Sequence, residues 1–197
     1  MRKTVYICIL VWLGVISVLA QENQSLLRRI QSNLSQLGRY RVEFRVAVEG
    51  YKASGEYVVD GRDFYMSSDS VALYVSSGVK REVNMRKREV TVDSAANLGS
   101  DLISNPIDAF LALERDFEAV AVEGVTESVE LRERGSNSGD VIRVETDKSG
   151  RFPQRIVYRS GGASLSIELL SVKPYAEPLP QYSEADYAGY EVVDFRQ

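Results

Sequence analysis

Histidine is absent from the 197-residue chain, and the one cysteine, Cys8, lies in an apolar leader. Beyond that leader the chain therefore holds no Ser-His or Cys-His nucleophile pair, no thiol redox couple and no His/Cys zinc site. The one tryptophan, Trp12, falls in the same leader, whereas sites that process carbohydrate usually display several. Basic residues are in deficit, 24 Lys and Arg against 28 Asp and Glu, and no basic tail is present. Sequence-independent nucleic-acid binding is excluded on that charge balance. Carboxylate-dependent hydrolysis survives the loss of histidine, but no two acids stand at a defined spacing. Strand-face acids such as Glu43 and Glu168 read as solvated. The expectation is a protein that is not an enzyme and carries no cofactor and no metal.

What is present begins with a short positive segment, Arg2-Lys3, and an apolar run from Val5 to Ala20 that ends in Val18-Leu19-Ala20. The polar run Gln21-Glu22-Asn23-Gln24 follows at once. This is the pattern of a secretory signal peptide over residues 1–20, cut after Ala20. At 16 residues the run is shorter than the roughly 20 needed to span a bilayer. Cys8 precedes most of the run, so it does not read as a lipid-attachment cysteine. The expected product is residues 21–197, a soluble, exported, disulfide-free monomer in a bacterial periplasm with a net charge of −6, 22 basic against 28 acidic residues.

Residues 24–37 have helical spacing: Leu26, Leu27, Ile30, Leu34 and Leu37 form one face, and Gly38 is a stop signal. From Arg39 the period drops to two, with Tyr40, Val42, Phe44, Val46 and Val48 alternating with charged residues. A second strand, Tyr51 to Val59, ends at Asp60-Gly61. Shorter strands are expected at Asp63–Met66, Val71–Val75, Lys80–Met85 and Glu89–Val92. The triplet Arg86-Lys87-Arg88 lies where the apolar parity switches, which places it at a hairpin tip as a solvated loop. Asn105-Pro106 opens a second helix with Ile107, Phe110, Leu111 and Leu113 on its apolar face. Strands resume at Phe117–Val122, Ser128–Glu133, Val141–Thr146, Gln154–Arg159 and Leu165–Val172. An extended connection, Lys173–Gln181, leads to a last strand at Tyr190–Phe195. No linker divides this order, so residues 21–197 form one mainly β (α+β) domain built on an antiparallel meander.

A sheet of this size must curl, and two amphipathic helices are available to cover its apolar concave face. Helices that fill the concavity make a sealed scaffold; helices that fill it partly leave a cavity suited to acyl chains. Patterning leaves both cases open. The marks Ala53-Ser54-Gly55-Glu56-Tyr57-Val58-Val59, Val75-Ser76-Ser77-Gly78, Asn105-Pro106 and Tyr190–Arg196, in this order and spacing, resemble the outer-membrane lipoprotein carrier (LolA-like) family. That resemblance spans essentially all of residues 21–197. It implies an unclosed antiparallel β-barrel of about eleven strands under two or three short helices. It also implies passage of acylated lipoproteins from an inner-membrane lipoprotein transporter to an outer-membrane receptor. The family's Arg-Pro pair after the second strand, whose arginine helps latch the lid, is replaced here by Asp60-Gly61-Arg62-Asp63, with the arginine displaced and the proline gone.

Under the carrier reading the cavity lining is Val42, Phe44 and Val46 on the first strand, Tyr57 and Val59 on the second, and Leu73 and Val75 on the fourth. Leu34, Phe110 and Leu111 join them from the helices, and Arg62 is the candidate lid latch. Each lining position could equally be ordinary core. Tyr182, Tyr187 and Tyr190 are expected to pin the C-terminal segment to the barrel. The rival from another class is a cargo-free interaction or envelope-sensor module on the same half-barrel.

Overall fold

The computed structural model describes residues 26–97, 113, 115–120, 128–135 and 139–196. The first helix, α1, covers residues 26–37 and stops where Gly38, at φ +66°, donates its N–H to the carbonyl of Ser35. Residues 24 and 25 of the expected helix lie outside the described residues, as do the signal peptide, the Asn105-Pro106 helix start, Phe110 and Leu111. Six strands follow α1: β1 (Arg39–Val48), β2 (Tyr51–Asp60), β3 (Asp63–Ser68), β4 (Val71–Ser76), β5 (Val79–Asn84) and β6 (Glu89–Ser94). After a 3-10 turn at Ala95–Asn97 come β7 (Phe117–Val120), β8 (Ser128–Glu133), β9 (Val141–Thr146) and β10 (Pro153–Ser160). The chain finishes with β11 (Ala163–Pro174) and β12 (Glu191–Asp194).

All twelve strands belong to one sheet in the order β12-β6-β5-β4-β3-β2-β1-β11-β10-β9-β8-β7. The meander is antiparallel as expected, and β1 meets β11 across its middle with a bulge after Glu43 that leaves Leu170 exposed. One expectation needs correcting: β12 is not a further antiparallel strand but pairs parallel to β6, Val192 opposite Val90. The cause is the long stretch from Tyr175 to Tyr190, which gives the chain room to cross the sheet and re-enter from the other end. A second correction is small. Met85 falls in the β5–β6 turn rather than in β5, and the basic triplet sits at that turn as the parity switch implied.

Curvature follows from the core. Eight adjacent strands, β4 through β1 to β11 and β8, laid flat at the usual spacing would span about 34 Å. A helix with its side chains is only about 10 Å across. Yet buried residues of these strands form a single cluster with Leu26, Leu27 and Ile30 of α1. The sheet therefore wraps around the helix, and with β7 and β12 left at opposite ends of the strand order it remains an unclosed barrel.

Candidate functional site

The inner face of the sheet is built by alternation. On β1, Val42, Phe44 and Val46 point inward while Arg41, Glu43 and Arg45 point outward, so burial repeats with period two. The register sets Phe44 opposite Gly55 and Val42 opposite Tyr57, and Tyr57 in turn opposite Met66. Phe44 and Tyr57 meet at 4.8 Å between ring centroids, and Tyr57 and Phe64 at 6.5 Å, a row of rings along the floor. Phe44 can lie flat there because Gly55 has no side chain. A Cβ on Gly55 would stand 2.7 Å from the Phe44 ring.

Seven of the ten expected lining residues, Val42, Phe44, Val46, Tyr57, Val59, Leu73 and Val75, are buried in this one cluster, and an eighth, Leu34, packs half-buried against its edge. Phe110 and Leu111 lie outside the described residues. Leu113, read with them on the same helix face, is buried in the cluster. Arg62 is exposed in the turn between β2 and β3. The other half of the floor is lined by residues outside the expected ten: Val129 and Leu131 of β8, Ile142 and Val144 of β9, Ile156 of β10 and Ile167 of β11. The alternation that marks them was available in the sequence, since β8 and β9 are as long as β4, and β11 is longer than β1.

The apolar floor ends at β4. Val75 is opposite Lys80, Leu73 opposite Glu82, and Lys80 opposite Asp93, so β5 and β6 turn polar residues inward. The Lys80 ammonium lies 3.8 Å from Asp93 there. Their apolar residues face outward instead: Val83, Val90 and Val92, with Ala72 of β4, form a second cluster on the back of the sheet. Tyr182, Tyr187 and Tyr190 cover it, stacked and edge-on to one another, with Arg81 over Tyr182 and Arg88 over Tyr190. The Tyr74 and Tyr187 hydroxyls are hydrogen-bonded at 2.7 Å. These tyrosines do pin the C-terminal segment to the barrel.

Burial raises Tyr40 to about 12, and burial together with the Tyr187 hydrogen bond raises Tyr74. A phenol whose folded pKa exceeds its unfolded value of 10 stabilises the fold fully below pH 10 and progressively loses that contribution above it. Urea midpoints are therefore expected to be flat from pH 8 to 10 and to fall between pH 10 and 12, Tyr40 alone accounting for about 2 to 3 kcal/mol. A midpoint unchanged at pH 12 would contradict this.

The polar face of α1 meets the β9–β10 turn. Arg29 Nε donates to the Gly150 carbonyl at 3.1 Å, and Asn33 Nδ2 to the Arg151 carbonyl at 2.9 Å. Asp147 organises that turn by accepting from the Arg151 N–H at 2.8 Å and from the Ser149 hydroxyl at 2.9 and 2.8 Å. Burial pushes the Asp147 carboxyl up, but these donated hydrogen bonds outweigh it and its pKa lies below the ordinary carboxylate value. At the start of β1, Arg39 grips Asp60 with Nε at 2.8 Å and Nη2 at 2.6 Å and holds the Glu177 carbonyl at 2.8 Å. Glu43 and Glu168, the acids weighed for hydrolysis, sit on the outer face within reach of Arg41 and Arg45.

No family model matches the chain, and no curated protein matches it. Among solved structures, an uncharacterized conserved protein from Thermus thermophilus is similar over 87% of this chain and 98% of its own, with a TM-score of 0.55 at 12% identity. The likeness is one of fold. LprF from Mycobacterium bovis aligns over 82% of this chain and 97% of its own, with a TM-score of 0.43 at 10% identity. A chain of the Pseudomonas aeruginosa MucA/MucB complex aligns with a TM-score of 0.44 at 13% identity, and this chain spans 60% of it. Among the described residues no helix is long and apolar enough to cross a membrane.

Proposed function

We propose that this protein is a periplasmic carrier that shields the acyl chains of lipoproteins, or of a related lipid, in its concave face for transfer to the outer membrane. The observation that carries this reading is the single apolar floor running from β4 to β8, with an amphipathic helix as its cover. Acyl methylenes moved from water onto that floor gain about 0.8 kcal/mol each, so a dozen carbons bind without polar contacts. Release then requires the cover to move. The family resemblance adds the inner-membrane transporter and outer-membrane receptor as partners. Val42, Phe44, Val46, Tyr57, Val59, Leu73, Val75 and Leu34, with Phe110 and Leu111, are the proposed lining.

One observation favours the cargo-free interaction module instead. Ile30 of α1 is fully buried in the cluster that lines the inner face, as in a filled scaffold. The two readings part on uptake. Native mass spectrometry of protein from a detergent-free periplasmic extract, followed by organic extraction, is expected to release an acylated species. Leu34→Asn is expected to weaken binding of a fluorescent fatty-acid probe about tenfold, since a half-buried leucine contributes up to about 1.5–3 kcal/mol. A clean apo mass together with refusal of the probe would overturn the carrier reading in favour of the module.

A further inference from the structure

Where the apolar floor gives way at β5, the polar side chains that replace it stand in register. Val75 of β4 is paired with Lys80 of β5, and Lys80 with Asp93 of β6; one row along, Leu73 is paired with Glu82 and Glu82 with Thr91. Lys80, Glu82, Thr91 and Asp93 thus form a two-by-two block, about 5 Å across the strands and about 7 Å along them. The next row closes the hairpin, with Asn84 accepting from the Lys87 N–H. The surface does not simply grade into solvent. Beyond Thr91 the register brings half-buried Val193 of β12, so apolar side chains border the block on two sides. Lys80 and Asp93 form the most buried ion pair among the described residues, their side chains 16% and 17% exposed. Yet they are not hydrogen-bonded: ammonium and carboxylate stand 3.8 Å apart, whereas the more exposed Arg39–Asp60 and Arg41–Glu56 pairs close to 2.6 Å. Among the described residues Lys80 makes no hydrogen bond, and Glu82 makes neither a hydrogen bond nor an ion pair. Apolar residues of similar size would serve a plain core as well as a shielded ion pair or better. An unsatisfied ammonium beside an unsatisfied carboxylate is what a ligand bearing both charges would meet.

We propose that this block is a head-group subsite for a zwitterionic phospholipid of the phosphoethanolamine type. The Lys80 ammonium and the Thr91 hydroxyl donate to the phosphate, and the ligand's ammonium donates to the carboxylates of Glu82 and Asp93. The acyl chains then run past Leu73 and Val75 onto the apolar floor. The inference rests on the carrier reading and narrows its cargo to a lipid with both charges. A phosphate and an ammonium joined by an ethylene link suit a block of this size. With one positive and two negative groups, the block repels a head group that is only negative.

The test is isothermal titration calorimetry of the intact protein with short-chain phosphatidylethanolamine, phosphatidylglycerol and diacylglycerol that share the same acyl chains. One hydrogen bond to a charged group is worth about tenfold or more, so phosphatidylethanolamine is expected to bind at least about tenfold tighter than either of the others. Glu82→Gln keeps the shape of the side chain and is expected to remove most of that preference. The double change Lys80→Met with Asp93→Leu replaces the pair by apolar groups and is expected to remove it entirely, with a thermal melt to show that the fold persists. Glu43→Gln, on the outer face, is expected to keep it. Diacylglycerol binding with no preference for phosphatidylethanolamine overturns the head-group subsite and leaves the carrier reading standing. Tighter binding of phosphatidylglycerol overturns it as well, by making the block a site for anions alone. A preference that survives both Glu82→Gln and a folded double variant overturns its placement on β5 and β6. Binding of none of the three lipids overturns the carrier reading and the subsite together.

Discussion

Gly55→Ala is expected to lower the unfolding free energy by about 3 kcal/mol, the upper part of the range for inserting one methyl into a packed site. The added Cβ would overlap the Ser67 carbonyl oxygen on β3 and fall 2.7 Å from Cζ of Phe44. A ring can rotate away, but the carbonyl belongs to a neighbouring strand paired with β2 from Gly55 to Asp60. Relief therefore requires the β2–β3 ladder to move, and the row of Phe44, Tyr57 and Phe64 moves with it. Urea denaturation with the slope held in common would measure the loss. A drop below about 1 kcal/mol, the lower end of that range, would show that the strands separate more readily than the register implies.

Truncation after Gln181 is expected to be worse, leaving a chain that is insoluble or unfolded at physiological temperature. Ala72, Val83 and Val90 have no exposed surface, and the tyrosines that cover them lie between 182 and 190. Uncovering valines at about 1.5–3 kcal/mol each approaches the roughly 5–15 kcal/mol that stabilises a typical domain. The same cut removes β12 and leaves β6 as a bare edge, an invitation to strand pairing between molecules. Soluble yield and the thermal transition by circular dichroism would report it, with Tyr187→Phe as the mild comparison. That variant loses one hydrogen bond, about 1 kcal/mol, and keeps the cover. A soluble truncated protein with an unchanged Tm would mean that the back of the sheet does not need its cover.

Much of this architecture is legible in the sequence because β-strands write their faces in alternation. The run from Tyr40 to Val48 announces one buried side, and β8 and β9 have the bounds that their turn residues set. The parity change at Arg86-Lys87-Arg88 is visible too, but its meaning is not. Only the fold shows that the apolar side of β5 and β6 has passed to the back of the sheet. The parallel pairing of β12 with β6 joins segments about a hundred residues apart, and no local pattern encodes strand direction at that range. The contact of α1 with the β9–β10 turn is hidden for a different reason. Carbonyls of Gly150 and Arg151 accept regardless of side chain, so the sequence shows two polar residues on a helix and nothing about what they hold. Gly55 stood among the residues carrying the family resemblance, yet its task, admitting Phe44, needs the cross-strand register to be seen.

The apolar back of β4 to β6 has a consequence for how the chain reaches its folded state. Tyr74 meets Tyr187 across 113 residues of sequence. While the first six strands can pair by short hairpins soon after they exist, their outer valines stay uncovered until residues 182–190 have been made and delivered. Long closures of this kind slow folding and extend the life of sticky intermediates. For a chain threaded through a membrane before it folds, as the carrier reading requires, such a delay is useful: the first half cannot lock while the second is still on its way. The hazard is that every molecule spends time with an adhesive strip on its back. That makes β4–β6 the stretch on which a holding chaperone would find its grip, and the first place for misassembly when none is at hand.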